Sequence, residues 1–231
     1  MNTQNSIGSI SVVGIGWLTT EAYGCIRTGR RRTFEPGEGA HALTKKGIFA
    51  HPFKNYGRLD TLSRMTAYAV SLALQDANIE YAPGRKQDIG IIGTSSQGSL
   101  QTDREFFEDY VSSGRTLSRG SLFIYTLPSS SLGESAIHFG LRGPLLYLRG
   151  AGGGLAAVLD GAADMIATGE APLMLAGQAE PHDAFYCVLA QDADRDHEAL
   201  CDLASGRRIA AANTDIPSLI HDFSLLAPGK A

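Results

Sequence analysis

The feature that most constrains the fold is a strand–helix–strand pattern over residues 143–178. An apolar run, 145–148, ends at a turn of small residues. A helical pattern follows over 154–168, and a second apolar run covers 172–178. Continuous apolar runs of this length are typical of strands buried on both faces. Two parallel strands joined by a helix form a βαβ unit, so the sequence predicts an α/β fold.

Alternating strands and helices continue through the rest of the chain. The clearest helix lies in "RLDTLSRMTAYAVSLALQDAN" (58–78), where Asp60 or Thr61 can cap the start and Asn78 can take the left-handed position at the end. We expect a single central sheet of five strands, mostly parallel, with helices on both faces. The expected strands lie near 9–15, 88–94, 143–149, 172–178 and 185–190.

The composition favours an intracellular globular protein. A chain of 231 residues is expected to form one domain, with a core over about 8–190 and a polar, weakly patterned tail over 191–231. The net charge of −4 argues against nucleic-acid binding. Three widely separated cysteines favour a reducing compartment, and no apolar run is long enough to span a membrane. We therefore expect a cytoplasmic protein that binds neither nucleic acid nor membrane.

The small-residue turn at 150–153 fits neither a phosphate-binding loop nor a nucleophile turn. Gly150 and Gly152 match the start of a dinucleotide fingerprint, but Leu155 stands where the third glycine belongs. No Gly-Lys-Ser/Thr follows, and the turn holds no Ser, Cys, Thr or Lys. The acidic stretch from residue 192 to 203 lacks the glycine and the final glutamate of a calcium loop. No cofactor and no metal are expected.

Other polar candidates each have a structural explanation. The serines at 129–131 suit a helix start, and His138, between apolar neighbours, suits a partly buried structural position. His182 and Asp183 follow a strand end, where catalytic groups gather, but no nucleophile is identified to pair with them. The basic cluster 27–33 is a solvated loop or a dock for an anion or an acidic partner.

Several sequence segments, in the order in which they occur, resemble the N-terminal half of β-ketoacyl synthases of the thiolase-like superfamily. They are the helix ending in "LQDANI", the strand "GIIGTS", the "GLRGP" before the next strand, and "GEAPLMLAGQAE" at the end of the βαβ unit. The resemblance covers roughly residues 8–190. It implies a single thiolase-like half.

The resemblance also implies a functional role for the small-residue turn. In that family the turn after the "GP" strand carries the catalytic cysteine at the start of a buried helix. Here the nucleophile position falls on Gly152, or on Ala151 if one residue is deleted, and neither can attack a thioester. The family's two catalytic histidines come from a C-terminal half, and no pair in this sequence matches them. Condensation by this chain alone is therefore not expected.

Two hypotheses about function follow. In the first, the chain is a non-catalytic subunit of a fatty-acid, polyketide or aryl-polyene type of pathway. It pairs with itself or with an active ketosynthase and helps to position a carrier protein or an acyl chain. In the second, the chain is an enzyme that catalyses a different reaction in the inherited cleft. His182, Asp183 or the serines at 129–131 would be its catalytic residues.

The family resemblance also implies where such a subunit would associate. The strand before the turn lies at the family's dimer interface, which gives Leu145, Leu146, Tyr147, Leu148 and Arg149 here. We expect Leu146→Pro to disrupt this association. A half-sized chain is further expected to need an outside cover for one face of its sheet. The basic residues Arg30, Arg31 and Arg32 are the candidate dock for an acyl carrier protein.

Overall fold

Eight strands form one sheet in the described part of the chain. The computed structural model describes residues 9–35, 37–40, 43, 45–116, 119–149, 154–191 and 198–227. The strands are β1 (Ile10–Leu18), β2 (Ala22–Cys25), β3 (Arg31–Thr33), β4 (Ile89–Thr94), β5 (Leu145–Tyr147), β6 (Leu173–Ala179), β7 (Ala184–Gln191) and β8 (Cys201–Asp202). All five expected strands are among them.

The strands lie in the order β3-β2-β1-β7-β6-β4-β5, with β8 beside β1. The α/β class is confirmed, but the sheet is larger than expected and mixed. Only β4 runs parallel to its neighbours, β5 and β6, while the other adjacent pairs are antiparallel. The reason lies in the connection between β6 and β7, which is a tight turn closed by a hydrogen bond from the Glu180 N–H to the Asp183 carbonyl at 2.8 Å. Such a short connection can join only antiparallel strands.

Eight α-helices accompany the sheet in the described residues. They are α1 (Lys45–Ile48), α2 (Thr61–Asp76), α3 (Leu100–Ser112), α4 (Gly120–Phe123), α5 (Ser130–Phe139), α6 (Gly154–Ala167), α7 (Leu203–Ala212) and α8 (Ile216–Ser224). The expected limits of α2 are confirmed, since the Asp60 side chain accepts a hydrogen bond from the Ser63 N–H at 2.9 Å and Asn78 has φ of 57°. No described helix is both long enough and apolar enough to cross a bilayer.

Helices cover both faces of the sheet, as expected. On one face α2 and α5 pack against the sheet, and β1 approaches α2 so closely that a Cβ at Gly16 would lie 2.2 Å from the Ala73 nitrogen. Glycine is therefore required there. On the other face α6, α7 and α8 enclose a second core, in which Phe223 of α8 lies 5.3 Å from Phe185 of β7, measured between ring centroids.

The second core corrects the expectation that one face needs an outside cover. Residues 203–224, within the predicted polar tail, supply α7 and α8 to that face. Asp202 and Asp215 cap the two helices, and Arg207 of α7 forms an ion pair with Asp160 of α6. Their apolar sides are short, which is why periodicity alone did not reveal them.

Candidate functional site

The carboxyl ends of the parallel strands β4, β5 and β6 meet at one edge of the sheet, where α/β folds place their sites. Glu180, just beyond β6, accepts hydrogen bonds from the N–H and the hydroxyl of Ser96, both at 2.7 Å. The Ser95 and Tyr147 hydroxyls lie 2.8 Å apart, which joins the end of β4 to the end of β5. The loop after β4 is therefore held by both neighbouring strands.

This polar edge includes Arg149, the last described residue before the small-residue turn. Gly98, at φ of 62°, donates its N–H to the Ser95 hydroxyl at 2.8 Å. A Cβ at Gly98 would lie 3.3 Å from Pro128 and 3.6 Å from the Arg149 guanidinium. The nucleophile position expected at Gly152 or Ala151 lies outside the described residues.

The three thiols are not at this edge and are poorly ionised. Burial raises the pKa of Cys25 to about 11, although the Arg30 guanidinium beside it opposes the shift. Burial also raises the pKa of Cys187, on the sheet strand β7, and raises that of Cys201, on β8, to about 11. A thiol with such a pKa holds little thiolate near neutral pH, so none is an activated nucleophile.

The structure does not bring the other catalytic candidates together. Ser130 and Ser131 donate their hydroxyls to backbone carbonyls, of Ile124 at 2.6 Å and of Pro128 at 3.2 Å. Within the described ranges, no hydrogen bond links His182 or Asp183 to these serines, and no cluster of metal-ligating side chains occurs. A serine nucleophile with its base is therefore not assembled here.

His138 is half-buried in an aromatic cluster, as the sequence predicted. Its ring stacks on Phe53 with centroids 3.9 Å apart, and its Nε2 lies 3.3 Å from the Tyr81 hydroxyl. Burial, with a smaller contribution from His51, lowers its pKa to about 4. His138 is therefore neutral near pH 7 and packs as an aromatic residue.

The strand β5 stands at one end of the sheet, with β4 on one side only. Leu145 and Leu146 are 41% and 38% exposed. The Pro144 carbonyl accepts from Ile91 and the Leu148 N–H donates to Gly93, both in β4. Because alternate residues point their backbone groups to opposite sides, Leu145 and Tyr147 direct theirs away from β4. Among the described strands, none occupies that side.

Exposed apolar side chains lie on α3, on α4 and in the segment after α4, and the sequence analysis missed them. Phe107 and Phe123 are 64% and 63% exposed, and the surface is completed by Val111, Ile124 and Leu127. Leu127 precedes Pro128, which packs with Tyr147 around Gly98. Large apolar side chains grouped in this way mark interaction sites on soluble proteins. The sequence did contain a signal for this feature, since apolar residues occur in pairs at 106–107 and 110–111. Such pairs make the apolar side of α3 too wide to be buried completely.

The basic cluster lies at the opposite end of the sheet, partly in the loop 27–30, as expected, and partly in β3. Arg31 and Arg32 belong to β3. Because adjacent side chains along a strand point to opposite faces of the sheet, these two arginines lie on different faces. Arg31 stands over the Trp17 ring, 5.9 Å from its centroid. Arg30 donates to the Gln75 side chain at 2.7 Å, on the α2 side. The three guanidinium groups are therefore divided between two faces.

Solved structures with the same fold are ketosynthases and their partners. The structure called the ishigamide ketosynthase/chain length factor matches with a TM-score of 0.64 and 14% identity, over 96% of this chain and 82% of that one. A β-ketoacyl synthase from Burkholderia phymatum STM815 matches with a TM-score of 0.63 and 18% identity, over 84% of this chain and 62% of that one.

A third match comes from a type II polyketide synthase acyl-carrier protein in complex with its ketosynthase bound to the hexaketide. It has a TM-score of 0.60 and 14% identity, over 86% of this chain and 62% of that one. The chain thus spans about three fifths of the length of the last two matches. Identities this low establish the fold alone. A comparison of the sequence with curated proteins finds no match.

The sequence comparison with protein families agrees with the fold. Residues 28–194 match the model of the β-ketoacyl synthase N-terminal domain. This range runs from the loop before β3 to just beyond β7, and it includes α2 and the βαβ unit that begins at β5. The chain belongs to the β-ketoacyl synthase N-terminal domain family.

Proposed function

We propose that this protein is a non-catalytic ketosynthase-like subunit that pairs through β5, with a second copy or with an active ketosynthase. In the resulting assembly it helps to position a carrier protein or an acyl chain in a pathway of the fatty-acid, polyketide or aryl-polyene type. The observation that carries this proposal is the open side of β5, which presents backbone groups and exposed leucines together.

An open strand edge with apolar side chains promotes aggregation unless it is covered or paired. Pairing with another β5 would satisfy the N–H and C=O groups of Leu145 and Tyr147. The apolar surface on α3 and α4 would extend the contact beyond a three-residue strand, toward the area that a stable interface requires. Both features therefore support a role in association.

The absence of a nucleophile supports a non-catalytic role. The sequence 150–153 is Gly-Ala-Gly-Gly, which offers no side chain that could form an acyl-enzyme. The three thiols lie elsewhere and have raised pKa values, and the serines at 129–131 have no base among the described residues. The protein would act by association.

The placement of the arginines supports a carrier-protein dock at the other end of the sheet. Arg30, Arg31 and Arg32 lie at the β3 end, and β5 lies at the opposite end. A partner on β5 would therefore leave these arginines accessible to an acidic carrier protein.

The experiment is a chain-elongation assay with a ketosynthase and an acyl carrier protein from the same host. We expect no product from this chain alone and a change in product length or yield when it is added to the ketosynthase. Leu145→Pro removes an N–H from the open side of β5 and should abolish the effect. Product formed by this chain alone would refute the non-catalytic role, and no effect on the ketosynthase would refute the subunit role.

A further inference from the structure

Two cavities share Arg64 in their walls, close to the polar edge of β4 and β5. The larger, of 540 Å³, lies between α2, residues 38–40, Leu43 and the β6–β7 turn. The smaller, of 410 Å³, lies between the start of α2, α3 and Tyr125. Thr61, Arg64 and Pro181 line both. The larger volume falls within the range of small-molecule sites in proteins.

The Arg64 guanidinium has an unpaired nitrogen at this junction. Its Nε is buried and makes no hydrogen bond, and its guanidinium stands 5.3 Å from the centroid of the Tyr56 ring. In the described ranges, no carboxylate lies within 4.0 Å of it. The nearby Asp60 carboxylate is engaged by the Ser63 N–H and the Thr102 hydroxyl. A buried guanidinium nitrogen without a partner costs stability that a bound anion would recover.

The walls of the larger cavity are apolar and aromatic. Leu43, Met65 and Tyr68 are buried around it, and the half-buried Ala40 and Tyr56 complete the wall. The exposed side chains of Glu38 and His182 stand at its mouth. A ligand would thus bury an apolar body against these walls and direct its charge to Arg64.

The charge balance selects the kind of anion. A single guanidinium pairs in two parallel hydrogen bonds with one carboxylate. A phosphate dianion would need further donors, and Glu38 at the mouth opposes a second negative charge. We propose that the cavity between α2 and the β6–β7 turn binds an organic carboxylate with an apolar acyl or aryl body, held by Arg64. This site does not depend on the proposed function, since neither β5 nor the arginines of β3 line it.

Calorimetric titration of the full chain with octanoate tests the site, with octanamide as the uncharged probe and inorganic phosphate as the anion without a body. We expect octanoate to bind about ten- to hundredfold more tightly than octanamide. Phosphate is expected not to bind. 4-Phenylbutyrate, compared with octanoate, distinguishes an aryl from an acyl body. Equal binding of octanoate and octanamide, or no binding of either carboxylate, would overturn the proposal.

Three variants locate the binding. Arg64→Gln should weaken octanoate binding by about ten- to hundredfold and leave octanamide unchanged. Arg142→Gln, which alters an exposed arginine paired with Asp88, should change neither. Ala40→Phe should fill the cavity and weaken both probes. If Arg64→Gln does not fold, Arg64→Lys preserves the charge and should lie between it and the wild type. Unchanged octanoate binding by either Arg64 variant would contradict the assignment.

The monomeric form separates this inference from the proposed function. Leu145→Pro should bind octanoate as tightly as the wild type, because β5 contributes nothing to the cavity. Normal binding in a protein that fails to pair would leave the carboxylate site standing alone. A loss of binding in that variant would place the ligand at the interface and refute the site at Arg64.

Discussion

The buried carboxylate of Asp76 accepts two hydrogen bonds from Thr28, one from its N–H and one from its hydroxyl, both at 2.9 Å. The same carboxylate accepts the N–H groups of Ile15 at 2.8 Å and Arg27 at 2.9 Å. The end of α2 is thereby joined to β1 and to the turn that leads to β3. Four donors compensate the charge for its loss of water.

We predict that Asp76→Asn lowers the free energy of unfolding by about 2–4 kcal/mol. The amide would keep one acceptor oxygen, but its NH₂ group would face N–H donors in a buried site. Urea unfolding followed by circular dichroism measures the effect. Asp164→Asn, on the exposed side of α6, is the matched control and should change the stability by less than about 0.5 kcal/mol. Equal effects of the two changes would show that this network is not important for stability.

The pH dependence of the free energy of unfolding should show the effect of the lowered pKa of His138. Its pKa is lowered from 6.5 to about 4 in the folded protein, chiefly by burial. The unfolded chain therefore binds this proton at higher pH than the folded chain. The stability contributed by the neutral imidazole is complete above pH 6.5 and is lost as the pH falls toward 4. After allowance for partial solvent exposure, we expect a loss of about 1–2 kcal/mol.

The measurement is a series of urea unfolding curves between pH 4 and 7 for wild type, His138→Gln and His221→Gln. Stability should decline less steeply in His138→Gln, because the titrating group is gone. His221 is exposed on α8, so its variant should follow the wild type. A slope that is the same in all three proteins would contradict the assignment to His138.

Local patterns predicted the elements whose determinants are close in sequence. The capped, amphipathic α2 and the βαβ unit that starts at β5 were both recognised from periodicity and turn residues. The antiparallel β6–β7 turn was missed because "EPHD" contains no glycine or asparagine signal for a hairpin. The direction of β7 depends on this short connection, which the composition of the segment does not indicate.

Features that depend on tertiary neighbours could not be predicted in this way. The partners of Asp76 lie about 48–61 residues away along the chain, and no spacing rule connects them. The unpaired Nε of Arg64 depends equally on which carboxylates, among the described residues, do not reach it. The sequence identified β5 as an interface strand only through the family resemblance, and the orientation of its backbone required the sheet order.

The backbone orientation of β5 determines which proline variant best tests association. Leu146→Pro, suggested by the sequence, would remove a donor on the β4 side, because the flanking Pro144 and Leu148 both bond to β4. It would therefore damage the sheet itself. Leu145→Pro removes a donor from the open side, where proline is tolerated in edge strands.

Incubation with an acyl thioester should leave no adduct on residues 149–155. The sequence there offers no nucleophile, and the pKa values of all three cysteines are raised. Intact-mass analysis followed by peptide mapping makes the measurement. Any label on Cys25, Cys187 or Cys201 should increase on unfolding, since it reflects exposure and not an activated site. An adduct within 149–155 would refute the non-catalytic role.

Reversing the charge at β3 should weaken binding of a carrier protein. Arg31→Glu with Arg32→Glu turns an exposed basic edge acidic, and repulsion should reduce affinity for an acidic partner about tenfold or more at low salt. Calorimetry with the host's acyl carrier protein measures this. Arg85→Glu with Lys86→Glu, an exposed basic pair before β4, is the matched control and should have little effect. Equal losses in both double variants would indicate nonspecific charge attraction.

Light scattering across a dilution series tests the central claim, that this chain associates through β5. We expect an assembly of twice 24.5 kDa for the wild type alone, or a one-to-one complex when the host's ketosynthase is added. Leu145→Pro should remain folded and monomeric in both conditions, whereas Ile137→Glu, which alters an exposed apolar residue of α5, should associate like the wild type. A wild type that stays monomeric with and without the ketosynthase, or a Leu145→Pro variant that assembles normally, would contradict the account.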